Sequence, residues 1–201
     1  MAPELLPWLA LVGLPLVLVV ATAFAKSSVV LGALRVGLGA EALLPWSAML
    51  ALALVVTGVV MAPVAIDSFE AAQSAGGWAA LSGAGWDAWA PVFEPLRAFV
   101  ERHAAPEELA FFGDLQGLPE ADPRVLVPGF LVTELTEALH MAVLVLLPLV
   151  LVDLVVAQAL TLLGLNNAPG PLVTLPLKIL LFLAVGGWDV VIGGLVEGYL
   201  A

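Results

Sequence analysis

A chain that sets two long apolar arms on either side of a proline-rich elbow has few ways to fold. Between Arg124 and Trp188 the arms Met141–Leu165 and Leu172–Val185 flank Asn166-Asn167-Ala168-Pro169-Gly170-Pro171. A helix crosses a bilayer core with about 20 predominantly apolar residues. The first arm has that length, with Asp153 as its one charge, and the second reaches it by continuing through Gly186–Leu200. Proline cannot continue a helix, and Asn and Gly accept the left-handed conformation of a C-cap, so the elbow ends one helix and frees the next. A helical hairpin in or against a membrane is expected. Glu134, Asp153 and Lys178 lie within it, and lipid does not tolerate such charges unpaired.

Composition supports the membrane reading. With 62% hydrophobic residues and a mean hydropathy of +1.11, the chain is too apolar for a soluble domain of its length. Its net charge of −11 argues against a nucleic-acid partner. The absence of cysteine excludes disulfides, iron–sulfur clusters and thiol catalysis.

Three regions follow in order: 1–66, 67–123 and 124–201. Leu5–Phe24 is apolar but has only Glu4 before it, whereas a secretory leader carries a basic start. It is expected to be retained, kinked or split by Pro7 and Pro15. The next stretch carries Lys26 and Arg35, with Ser28/Gly32 and Ala33/Gly37 as small pairs at helical spacing. It reads either as a connector or as a tightly packed interface helix. Trp46–Ile66 is uncharged and long enough to span, with Pro63 marking a kink or an end. Asp67–Pro123 then holds ten acids against Arg97 and Arg102. Within it, Pro91–Ala104 and Pro106–Leu115 begin with proline and early acids, which is helix-initiation chemistry. The whole is all-α: multi-pass helical hairpins of membrane type with a small acidic helical subdomain. Lys26 and Arg35 put their connection in the cytoplasm and the acidic loop outside, by the positive-inside rule.

Several stretches resemble, in one order, the FliP/SctR (YscR, SpaP) family of the bacterial type III secretion export apparatus. A TSFxK…LRxALG pattern is matched by Thr22-Ala23-Phe24-Ala25-Lys26 and Leu34-Arg35-Val36-Gly37-Leu38-Gly39. MxPV is matched by Met61-Ala62-Pro63-Val64, and LxPAFxxSEL by Leu126-Val127-Pro128-Gly129-Phe130-Leu131-Val132-Thr133-Glu134-Leu135. LPFxxIDLVV is similar to Leu147–Val156, and LPFKLLLF…DGW to Leu175–Phe182 with Gly187-Trp188.

The resemblance implies a pore-forming subunit of a protein export gate in the bacterial inner membrane, flagellar or injectisome. Several copies would form a homo-oligomeric ring with SctS- and SctT-type partners, surrounded by lipid and conducting unfolded secreted proteins. No cofactor and no catalytic centre are implied. The family narrows its pore with a methionine-rich loop, whose soft side chains seal around varied cargo. Here Leu165, Asn166, Asn167 and Ala168 stand in its place, Gly186 replaces the acid of DGW, and Trp46 stands where the family usually has Asn.

Other chemistries are weaker. Glu137-x-x-His140 is half of a di-iron signature, but His103 has no Glu three residues before it to complete the second half. Asp153 and Asp189 could form an intramembrane aspartyl pair only by sharing a site, and Lys178 offers a structural counter-ion instead. No G-x-S-x-G turn supports a hydrolase. The main alternative is a subunit of a proton- or solute-coupled carrier using Glu134, Asp153 and Lys178 as a relay. Its two halves would show matching broken helices, and these halves do not match.

Three outcomes are expected from the sequence. Gly32→Leu or Gly37→Leu should break the oligomer by steric clash. The Asn166→Met/Asn167→Met pair should preserve assembly, as measured by particle size, and tighten the closed state against small ions. Glu134 and Lys178 lie far apart along one hairpin, Glu134 roughly 45 Å of straight helix before the elbow, so they should pair between subunits, with Asp153 as the competing partner within one. Secretion assays separate these: a silent Glu134→Ala beside a damaging Asp153→Ala favours the internal pair.

Overall fold

The computed structural model describes residues 16–77, 80–81, 86–165 and 170–200. Their main helices are α1 (Phe24–Leu38), α2 (Trp46–Ser74), α3 (Ala90–His103), α4 (Pro106–Gln116), α5 (Pro123–Leu162), α6 (Gly170–Ala184) and α7 (Gly187–Glu197), with a 3-10 turn at Trp86–Trp89. No strand occurs among the described residues. The chain forms two compact units that interleave along the sequence: Met1–Ala25 with Thr57–Leu135, and Lys26–Val56 with Thr136–Ala201. The long helices α2 and α5 each contribute to both.

In the first unit the acidic segment builds its helices from local signals. Proline opens α3 and α4, and Arg102 and His103 fall in the last turn of α3, where a positive charge complements the helix dipole. Glu107 and Glu108 occupy the first turn of α4, the favourable end for an acid. Gly117 ends α4 at φ +64°, donating to Gly113 O, while the Leu118 N–H closes on the same carbonyl at 3.1 Å. Asp122 then caps α5: its Oδ1 accepts from the Arg124 N–H at 2.9 Å and its carboxylate also grips the Arg124 guanidinium. Those bonds hold the Asp122 carboxyl at a pKa of about 2, below its ordinary 3.8. The cap is therefore complete above pH 4 and is lost only as pH falls through about 2.

The acidic helices are fastened to the start of α5. Phe99 meets Phe130 edge-on at 5.9 Å. Gly129 lets α4 come close, since a Cβ there would sit 2.9 Å from Leu109 Cδ2. Between α3 and α4, the Ala105 N–H donates to Thr133 Oγ1 at 2.9 Å, and Thr133 donates to Gly129 O at 2.9 Å.

In the second unit α1 is buried along one stripe, with Val30, Leu31 and Leu34 at 0% exposure. The stretch around Lys26 and Arg35 is thus a packed helix, not a loop. Two further points differ from the sequence reading. Pro63 does not end α2, which continues to Ser74 and carries Asp67 and Glu70 in its last turns. The second arm does not run straight through Gly186: α6 stops at Ala184 and α7 resumes at Gly187, bent by 60°. Gly186 takes φ +65° there, and Gly187 leaves room for the Phe182 ring, which a Cβ would strike.

Among the described residues two helices, α2 and α5, are long and apolar enough to cross a membrane, or three spans if bent α6 and α7 count as one. The 40 residues of α5 rise about 60 Å, twice the roughly 30 Å of a hydrocarbon core. Leu144, Val150, Leu154 and Val155 along it are more than half exposed, a face that water does not favour.

Thr133→Val should strand the Ala105 N–H and lower the stability of the first unit by about 1–3 kcal/mol. Thr133→Ser should restore it. Thermal unfolding in detergent reads the difference, and equal stability of Val and Ser variants would show that the bond contributes nothing.

Candidate functional site

Of the charges that the sequence places among apolar residues, Asp153 and Lys178 meet within the second unit. Lys178 extends from α6 with 6% exposure. Its Nζ donates to Gly37 O at 2.9 Å and lies 2.5 Å from Asp153 Oδ2. The Gly37 carbonyl belongs to the last turn of α1, where Gly39 N–H returns to Val36 O and Ala40 N–H to Arg35 O. The final carbonyls of a helix lack intrahelical donors and carry partial negative charge. Lys178 therefore caps α1 while neutralising Asp153, whose side chain is 46% exposed. Gly37 permits this approach: a Cβ there would lie 2.4 Å from Leu146 Cδ2 and 3.0 Å from Leu149 Cδ1.

The other small residues have neighbours within the chain too. A Cβ on Gly32 would lie 3.0 Å from the Trp46 ring. Ser28 and Ala33 are half-buried on α1. Leucine at 32 or 37 thus disturbs the packing of the single chain before any contact between copies. Lys26 is no loop charge: it is 2% exposed inside α1, with Nζ 2.5 Å from Glu137 Oε2. Arg35 folds back at the end of α1, Nε donating to Leu44 O at 2.6 Å and Nη2 to Glu41 O at 3.0 Å. It fixes the connection into α2, with Trp46 beneath its guanidinium.

Glu134 belongs to the first unit, buried at 1% exposure. Of the expected constriction, Leu165 is half-exposed just past α5, while Asn166, Asn167 and Ala168 lie outside the described residues. Glu137 and His140 are exposed on α5, and Glu137 is held by Lys26. Asp189 sits in the first turn of α7. The Lys26–Glu137 pair escapes a sequence reading because its partners lie in distant segments. The only local signal is a lysine beginning the buried stripe of α1.

The arrangement neutralises buried cations and locks helices. It defines a class of all-helical membrane-type protein whose buried charges are structural clamps. The family model described as "FliP family" matches residues 5–195, and the chain belongs to that family. It is 37% identical to "Pathogenicity-related ORF2" of Xanthomonas campestris pv. glycines, covering 92% of this chain and 91% of the relative. The "Hypersensitivity response secretion protein HrcR" of Ralstonia nicotianae is 34% identical over the same shares. The "Flagellar biosynthetic protein FliP" of Caulobacter vibrioides is 32% identical, covering 92% of this chain and 71% of the relative.

Lys178→Met should lower stability by about 1–3 kcal/mol, since it strands a helix carbonyl and a half-exposed carboxylate. Asp153→Asn should cost less, and the double variant less than the sum, as expected of groups in contact. Strict additivity in a thermal-unfolding cycle would show that the two side chains do not depend on each other.

Proposed function

We propose that this chain is a pore-forming subunit of a type III protein export gate, working as a ring of copies in the bacterial inner membrane. As a FliP-family member it is a component of the type III export apparatus, flagellar or injectisome. The observation that carries this reading is a match extending over residues 5–195, with relatives named for secretion and for flagellar biosynthesis. The exposed apolar faces of α2 and α5 suit it, because lipid or neighbouring subunits must cover them. SctS- and SctT-type helical hairpins are the proposed partners, and unfolded secreted proteins the passengers. The role needs no reaction: the chain holds a passage open or shut.

Within that reading the 165–168 segment lines the narrowest part of the passage. Its Asn166 and Asn167 amides make a more hydrated seal than thioethers. An ammonium has three donors, and Gly37 O and Asp153 take two of those on Lys178. For the assembled state, Glu134 of a neighbouring copy is proposed to compete for Lys178.

A strain lacking this chain should lose export of its type III substrates while retaining solute uptake, and plasmid-borne wild type should restore export. Normal export with a defect in solute or proton flux would point to a carrier instead.

A further inference from the structure

Lys26 is the more enclosed of the chain's two lysines, its side chain 2% exposed. A charge at that depth requires partners on several sides. Glu137 Oε2 supplies one at 2.5 Å, though the Glu137 side chain is itself 52% exposed. Tyr199 supplies another: Nζ stands 4.2 Å from its ring centroid, well within the roughly 6 Å reach of a cation–π contact.

Tyr199 lies beyond α7, in a turn closed by Tyr199 N–H to Val196 O at 3.1 Å and Leu200 N–H to Glu197 O at 3.0 Å. Its backbone runs close to the cation, since a Cβ on Gly198 would lie 3.9 Å from Lys26 Nζ. The residues around the ring face outward: Glu197 and Gly198 are exposed and Leu200 is 78% exposed. An exposed turn beyond the last helix, its backbone bonds open to solvent, belongs to the low end of local stability.

We propose that this turn is a strap. With the Tyr199 ring on Lys26, water is kept from the ammonium, and its pair with Glu137 ties α1 to α5. Lifting the strap hydrates Lys26 without unfolding α1, α5 or α7, and the tie weakens because water screens the pair. The aromatic face does this, not the phenol hydroxyl.

The test uses the full chain in detergent and a water-soluble N-hydroxysuccinimide acetate, with acetylation at Lys26 and Lys178 followed by mass spectrometry. In the wild type both lysines should react slowly. In Tyr199→Leu, Lys26 should react about tenfold faster, as loss of a partly buried cation–π contact implies, with Lys178 unchanged. Tyr199→Phe should match the wild type. An unchanged Lys26 rate in Tyr199→Leu would overturn the strap. Equal acceleration at Lys26 and Lys178 would also overturn it, because the exposure would then be global. A Tyr199→Phe chain as reactive as Tyr199→Leu would overturn the role given to the ring.

Discussion

An ammonium group buried in an apolar helical unit must be answered by oxygen, and Lys178 is answered twice. Gly37 O and Asp153 Oδ2 receive it at 2.9 and 2.5 Å. One is an orphan carbonyl at the end of α1 and the other a carboxylate on α5, so a single side chain of α6 joins three helices. The desolvation of a lone lysine would cost several kcal/mol. The same contact serves the orphan carbonyl and the half-exposed acid, so the cost of burying the lysine is offset on both sides. The absence of a side chain at Gly37 follows from this, since the carbonyl reaches Lys178 only where α1 lies against Leu146 and Leu149.

Lys26 and Arg35 repeat the solution along α1. Lys26 takes the Glu137 carboxylate, and Arg35 takes the carbonyls of Leu44 and Glu41. Polar interactions inside this unit thus fasten helices to each other, while its apolar side chains are divided between the core and an outward face. That outward face is what a chain needs if lipid or neighbouring subunits surround it. Without a strong hydrophobic drive between helices in lipid, close packing at small residues and polar clamps carry the association. The first unit uses water-facing chemistry instead: proline starts, an Asp122 cap and a glycine stop.

Much of the architecture was legible because it is written in local signals. Pro91 and Pro106 with their neighbouring acids placed α3 and α4 to within a residue or so, and the charge-free run from Trp46 placed α2. Of the two readings of Pro63, a kink or an end, the end fails: a proline costs a helix one donor and a clash, about 3 kcal/mol, which a long apolar helix with tertiary support absorbs. The break at Gly186-Gly187 had its signal in the paired glycines, outweighed by the hydropathy on either side. The site was less legible. Sequence named Asp153 and Glu134 as carboxylates for Lys178, but which acid meets it in one chain depends on where the fold brings the end of α1. The Lys26–Glu137–Tyr199 contacts join three distant segments and follow no spacing rule.

The central claim is that this FliP-family chain works as one of several copies in an export gate. Imaging the particle extracted from membranes in mild detergent, by electron microscopy with subunit counting, tests it most directly. The account predicts a closed ring containing several copies of this chain together with small multi-pass partners. A particle holding a single copy, or a dimer with no other subunit, would contradict it.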